Sequence, residues 1–294
     1  MLPSAAPAAG RLHLIPVPLV DAPAGAPGSA LCALPPETLV AARAAHYFLV
    51  ENARSARAFL KAIGHPQAIA SLQIIEIGHA PDPAQIDAWL APLLGNPATS
   101  ASPLDAVLLS EAGCPGIADP GASIVARAHE RGLVVQAWIG PSSILLALMA
   151  AGMNGQSFRF LGYLPQDREE LRLRLLDVQD DAYSGETQIF IETPYRNLRM
   201  LEILLQTCAP SLRLCVAVAL SGADQAVHTR TIAQWLALAP AQLPPLDRRP
   251  AVFLLHGAPH GAPSGQQRSS SQSRSGAMAS KTASGRRRSS AARG

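Results

Sequence analysis

The sequence predicts an α/β protein of two lobes, with a mostly parallel first sheet and a mixed or antiparallel second sheet. Strand-like and helix-like segments alternate from residue 11 to residue 138, the rhythm of parallel strands joined by crossover helices. After Gly140-Pro141 the rhythm breaks, and several strands then follow one another closely, as in an antiparallel α+β lobe. The chain has 294 residues, 48% hydrophobic and only 4% aromatic, so it holds two ordinary cores packed by Leu, Ile, Val and Ala.

Taken in order, residues 11–17 read as the first strand, followed by a long Pro/Gly/Ala loop to Pro36. Residues 37–45 read as a helix, 47–50 as a strand, and 53–63 as a helix stopped by Gly64. A strand at 73–77, a helix at 83–94 and a strand at 105–109 come next. The helix at 120–131 starts with Asp119 as N-cap and Pro120 in the first helical position. A strand at 133–138 completes the first lobe. An apolar helix at 142–151 is expected to pack between the lobes. The second lobe reads as strand 158–163, helix 168–178, strand 187–192 and helix 195–206. Strands 212–220, 227–231 and 251–256, with a short helix at 232–238, complete it. The expected organisation is a flexible N-terminus (1–10), lobes at 11–139 and 140–257, and a disordered basic tail (258–294).

Charge divides along the same lines. Seven Lys and Arg and no acidic residue follow residue 258, while the remaining 17 basic and 21 acidic residues leave residues 1–258 at −4. A slightly acidic body excludes an extensive phosphate-binding face, so any attraction for nucleic acid is local or comes from the tail. The tail is Gly, Ser, Arg, Ala and Gln with almost no large apolar residue, too little to offset ordering entropy. Cys32, Cys114, Cys208 and Cys215 form no CxxC pair and no metal spacing, and His46, His79 and His129 share none either; no metal is expected. The cysteines read as reduced thiols of a cytoplasmic protein. Residues 1–10 lack the features of a signal peptide, and the longest apolar run, residues 144–151, is too short for a membrane span. Trp89, Trp138 and Trp235 are scattered as core or interface anchors.

The most informative phrase is SEAGCPGIADPG, residues 110–121. It leaves an apolar strand (Ala106, Val107, Leu108, Leu109), turns through Gly113, Pro115 and Gly116, and enters a helix at the small Gly121. Such a loop fixes the backbone and lets main-chain groups approach a ligand, at the strand end where open α/β sheets bind small molecules.

With HLIPVPL, VENARSARAFLKAIG, WIGPSSILLALMAAGM, FLGYLP and FIETPYRNLRMLEIL in order around it, this phrase resembles the tetrapyrrole methylases, the class III S-adenosylmethionine-dependent methyltransferases. The nearest branch is similar to the small-subunit rRNA cytidine 2′-O-methyltransferases, across residues 11–257. The resemblance implies a homodimer of two-lobed chains with the methyl donor in the cleft between lobes. Carried over by position, Ser110, Glu111, Ala112, Gly113, Pro115 and Asp119 line one side of the donor, with Gly121 closing the loop. Pro141, Ser142 and Ser143, at a helix N-terminus suited to a carboxylate, line another side, and Leu164 and Glu192 close the site.

The sequence also departs from that branch. LVDAPAGAPGSALCALP replaces its Gly-Asn phrase and helix after the first strand. Ala219, Leu220, Ser221 and Gly222 replace an acidic–Thr–Lys phrase, and Glu51, Asn52, Ala53 and Arg54 keep only the ends of an acidic–Asp–Thr–Arg phrase. Asp224, Gln225 and Thr231 instead resemble a phrase of porphyrin-precursor methylases. A ribose hydroxyl needs help to ionise, and Glu51 and Arg54 are the catalytic candidates, with Glu192 beside them. Their structural alternatives are a helix cap for Glu51, a surface ion pair with it for Arg54, and a strand end for Glu192. Three functions stay open at this point: an rRNA ribose methyltransferase with rRNA or the ribosomal subunit as partner, a methyltransferase of a tetrapyrrole or other small molecule, and a non-catalytic binder of S-adenosylmethionine.

Overall fold

The computed structural model describes residues 9–20, 33–95, 99 and 102–257, which belong to one compact unit. The tail at 258–294, most of the expected N-terminal segment and of the Pro/Gly/Ala loop, and Cys32 lie outside the described residues.

The first sheet has the order β3-β2-β4-β1-β5 with every pairing parallel. Its strands are β1 (Arg11–Leu14), β2 (Tyr47–Val50), β3 (Gln73–Glu76), β4 (Ala106–Leu109) and β5 (Val134–Ala137). The connecting helices are α1 (Pro36–Ala44), α2 (Ala53–Ala62), α3 (Pro83–Leu94) and α4 (Gly121–Glu130). Successive strand side chains point to opposite faces, so β2 and β4 are buried throughout. Phe48, Val50, Val107 and Leu109 pack with Ala42 of α1 and with Phe59 and Leu60 of α2. Leu12, Leu49, Ala106 and Leu108 pack on the other face with Leu90 of α3 and with Ile124 and Ala128 of α4.

The strand order places the crevice. From β2 the chain runs outward to β3, whereas from β4 it runs the opposite way to β5. The loops after these adjacent strands therefore diverge at their carboxyl ends, where open α/β sheets hold ligands.

The second sheet has the order β6-β7-β10-β8-β9. It is mixed: β6 (Phe158–Tyr163) runs parallel to β7 (Thr187–Glu192), while β8 (Arg213–Val218), β9 (Ala226–Thr231) and β10 (Ala251–His256) pair antiparallel. One face carries α6 (Arg168–Tyr183), α7 (Asn197–Thr207) and α8 (Ile232–Leu236) over Phe190, Val216 and Phe253. Phe190 and Phe253 are register partners whose rings stack at 5.7 Å, a cross-strand aromatic pair. The other face is covered by α5 (Ser143–Ala151), whose Ala147, Leu148 and Ala151 meet Ile189, Cys215 and Leu254.

Several boundaries differ from those read in the sequence. β1 stops at Leu14, because Val17 leaves the sheet to pair with Gly113 in an isolated antiparallel bridge. α4 begins at Gly121, since Pro120 has no side-chain cap and Asp119 caps from one residue earlier. α6 runs on to Tyr183, because Val178 and Ala182 continue its buried stripe beyond the expected end. α5 lies on β8, β9 and β10, with Leu145 and Met149 on its outer side 52% and 80% exposed. No described helix is long and apolar enough to cross a membrane.

Candidate functional site

A cavity of about 420 Å³ opens where the β2 and β4 loops diverge, with the α5 N-terminus and the ends of β6, β7 and β10 around it. Its size falls within the range of about 300–1,000 Å³ usual for small-molecule sites. Nine of the candidate site residues line it: Glu51, Ser110, Glu111, Ala112, Gly113, Asp119, Ser142, Ser143 and Glu192.

The loop after β4 is held in place from three directions. Gly113 exchanges two backbone hydrogen bonds with Val17, at 2.9 and 3.1 Å, which clamps the loop to the chain leaving β1. Gly113 has φ +75°, and a Cβ there would lie 3.1 Å from Leu19 Cδ2, so the position requires glycine. Asp119 Oδ1 accepts from the backbone N–H groups of Gly116 and Gly121, at 2.9 and 2.6 Å. Between them Ala118 sits at φ +58°, a left-handed conformation that non-glycine residues hold only when their surroundings impose it. Ser110 Oγ donates to the carbonyls of Ala112 and Gly113, and the Cys114 thiol to that of Pro141.

The carboxylates of Glu51 and Glu192 both line the cavity. Glu51 continues β2; its Oε2 accepts from Glu111 N at 2.9 Å, and His79 Nδ1 stands 3.9 Å from its Oε1. Burial pushes the Glu51 carboxyl above the ordinary carboxylate range; the Glu111 N–H opposes this, and the charges of Asp119 and Glu111 add to it. Burial likewise raises Asp119, against the pull of its two N–H donors. At the end of β7, Glu192 Oε1 accepts from Thr193 N and from the guanidinium of Arg196. Tyr163, at the end of β6, lies where burial and the charges of Glu192 and Glu51 raise its phenol. At the α5 end, Ser142 is the N-cap; its hydroxyl accepts from Leu145 N at 3.5 Å, and the first N–H groups of the helix have no intrahelical partner.

Other singled-out residues lie outside the cavity lining. Arg54 is exposed on α2 and does not pair with Glu51; its backbone N–H instead meets the Asn52 cap. The expected Glu51 cap is supplied by Asn52, and Glu76 takes the Ala53 N–H at 2.9 Å. Leu164 is buried in the core beneath α6 and α7. Pro115 and Pro141 are buried and do not line the cavity. A Cβ on Gly121 would meet Asp119 Oδ1 at 2.7 Å and Leu108 Cδ2 at 2.8 Å, so this glycine lets α4 approach β4.

The sequence reading missed Leu19, Tyr163, Ile191, Leu220 and Val252, which give the cavity its apolar side. Tyr163 stands in FLGYLP, the phrase from which the resemblance singled out the neighbouring Leu164 instead. Leu220 stands in the departing Ala219–Gly222 stretch, where Ala219 and Ser221 have φ +47° and +64°. Among the described residues no three His, Cys, Asp or Glu side chains gather as metal ligands.

No protein-family model matches the chain. Among solved structures, a conserved hypothetical protein of Aeropyrum pernix superposes with TM-score 0.53, 15% identity and 85% coverage of both chains. A cobalamin biosynthetic enzyme, cobalt precorrin-4 methyltransferase, superposes with TM-score 0.52 and 11% identity, covering 84% of this chain and 94% of that one. The chain has the tetrapyrrole-methylase fold. In sequence, this tetrapyrrole-methylase-fold chain is similar to proteins named ribosomal RNA small subunit methyltransferase I. That of Vibrio cholerae is 30% identical over 139 residues, 46% of this chain and 47% of the relative. That of Pseudomonas aeruginosa is 33% identical over 136 residues, covering 45% and 47%. That of Leptospira borgpetersenii is 40% identical over 98 residues, covering 33% and 38%. The chain thus spans less than half the length of these curated relatives.

Proposed function

We propose that this chain is an S-adenosylmethionine-dependent methyltransferase whose acceptor is a ribose hydroxyl of small-subunit rRNA. The observation that carries the proposal is the cavity at the divergence of the β2 and β4 loops, which combines close backbone approach at Gly113, a free helix start at Ser142–Ser143, and the carboxylates of Glu51 and Glu192. These features fit the donor: Leu19, Ile191 and Leu220 suit its apolar parts, and the α5 N–H groups suit its carboxylate. When bound, S-adenosylmethionine supplies an electrophilic methyl group on a sulfonium.

The protein's part is alignment and proton removal. Positioning alone supplies about 7–11 kcal/mol of a barrier of this kind. Glu51, with its carboxyl raised by burial, is the proposed acceptor of the hydroxyl proton. Arg54, exposed beyond the cavity, is proposed as a rim cation toward the acceptor strand, and the basic tail outside the described residues as a further source of attraction. The likeness to relatives named rRNA methyltransferases supports this acceptor. The proposal extends to lobes at 11–139 and 140–257, to a cytoplasmic protein with free thiols at Cys114, Cys208 and Cys215, and to a homodimer in which the exposed Leu145 and Met149 are covered.

The −4 charge of residues 1–258 offers RNA little general attraction, which leaves room for a second reading, a small-molecule acceptor, with a tetrapyrrole as one candidate. The deciding experiment is transfer of labelled methyl to bare rRNA, assembled small subunits and precorrin-type acceptors. Labelling of rRNA supports the first reading. Labelling of the precorrin alone replaces it with the second, and donor binding without any transfer leaves a non-catalytic binder.

A further inference from the structure

Beside the cavity, Tyr195 is 79% exposed, and the Arg248 guanidinium lies 5.9 Å from its ring centroid. Both residues are joined to the cavity wall by the chain itself: Tyr195 follows Pro194 and Arg248 shortly precedes Pro250, and both prolines line the cavity. A part-buried hydrogen bond ties the two segments together, since the fully buried Asn197 donates through Nδ2 to Arg249 O at 2.6 Å. Arg249 is anchored in turn on Asp224 at 2.9 Å, and Arg248 is held at φ +54° in the turn between. Among the described residues, the Tyr195 hydroxyl has no hydrogen-bond partner and Arg248 no ion-pair partner. A large aromatic face and a cation are thus held together at the lip of the cleft, both open to solvent.

We propose that Tyr195 and Arg248 form a platform for the acceptor strand, on which an unstacked RNA nucleobase lies against the Tyr195 ring while Arg248 meets the adjoining phosphate. The inference rests on the RNA reading of the cavity and assigns residues to a step which that reading leaves open. A ring with a guanidinium beside it is the means by which proteins hold splayed bases without reading a long sequence. Charge also favours a nucleotide over a planar polycarboxylate. Glu51, Glu111, Asp119 and Glu192 line the interior, so an acceptor rich in carboxylates is repelled from it. A neutral ribose enters that interior, while its phosphates stay outside at the cationic lip.

The test uses the full chain and a fluorescent single-stranded RNA of about ten nucleotides, a length suited to one such site. Affinity is measured against salt, beside the same strand carrying abasic positions, and S-adenosylhomocysteine binding is measured in parallel. Tyr195→Ala is expected to weaken binding of the intact RNA about tenfold, with little further loss on the abasic strand, and Tyr195→Phe to retain it. Arg248→Ala is expected to weaken binding and to reduce the salt slope by about one. Donor affinity is expected to be unchanged in all three. RNA binding by the wild type that Tyr195→Ala leaves intact overturns the platform and spares the RNA reading. Absence of RNA binding by the wild type overturns both, as does Tyr195-dependent binding of a carboxylated porphyrin in its place.

Discussion

Asp119 is the residue whose removal most directly separates the loop's architecture from its contents. In Asp119→Ala, the N–H groups of Gly116 and Gly121 lose the oxygen they share at 2.9 and 2.6 Å. Loss of a helix cap costs about 1 kcal/mol, and a second bond to a charged, half-buried acceptor adds a similar amount, for about 2 kcal/mol in total. At about 2–4 °C per kcal/mol for a domain of this size, the thermal midpoint should fall by about 4–8 °C. The same bonds hold Ala118 at φ +58°, so the freed loop relaxes away from the conformation that shapes the cavity. Affinity for S-adenosylhomocysteine should then fall about tenfold or more. Asp119→Asn keeps an oxygen for both N–H groups and removes a carboxylate that burial disfavours, so it should match or exceed the wild type near neutral pH. Differential scanning calorimetry and titration calorimetry on both variants provide the assay. An Asp119→Ala protein with wild-type midpoint and affinity would refute the reasoning.

Three further outcomes follow from other parts of the molecule. Because burial raises the Glu51 carboxyl, its ionisation destabilises the fold as pH climbs from the ordinary carboxylate range through the raised value. Glu51→Gln should therefore raise the thermal midpoint near neutral pH, with the gain vanishing in acid, while methyl transfer is lost; a midpoint gain independent of pH contradicts the assignment. Trp235 is 1% exposed and donates through Nε1 to Leu214 O at 3.0 Å, so Trp235→Phe deletes this buried bond and leaves a gap in the core, and should cost about 1–3 kcal/mol in urea unfolding. Met149→Glu, on the exposed side of α5, should dissociate the proposed homodimer in sedimentation velocity; a wild-type profile that is already monomeric removes that proposal.

The first sheet was legible because its signals are local. Apolar strands such as 106–109 alternate with capped helices, and the parallel sheet follows from that rhythm. The second sheet's mixed pairing was legible in outline, since three late strands fall close together. The loop at 110–121 declared itself through glycines and prolines whose conformations the structure shows, at Gly113 above all. What escaped was long-range. Nothing near Glu51 in sequence says that its partners are Glu111 and His79, rather than Arg54. Tyr163, Ile191 and Val252 reach the cavity only because β6 and β7 end, and β10 begins, beside it. The β1 boundary was misplaced for the same reason, as Val17 pairs with a glycine far along the chain.

Titration of S-adenosylhomocysteine into the wild type and into Gly113→Val tests the central claim, that the crevice at the β2 and β4 loops holds the methyl donor. Gly113 lies at φ +75°, and a Cβ added to it would stand within 3.5 Å of Leu19 Cδ2 and Pro141 O, so a branched side chain both strains the loop and enters the cavity. The wild type should bind one equivalent per chain, and the variant should bind none while its far-ultraviolet circular dichroism stays that of the wild type. Equal affinity in wild type and folded variant would place the donor elsewhere and contradict the account.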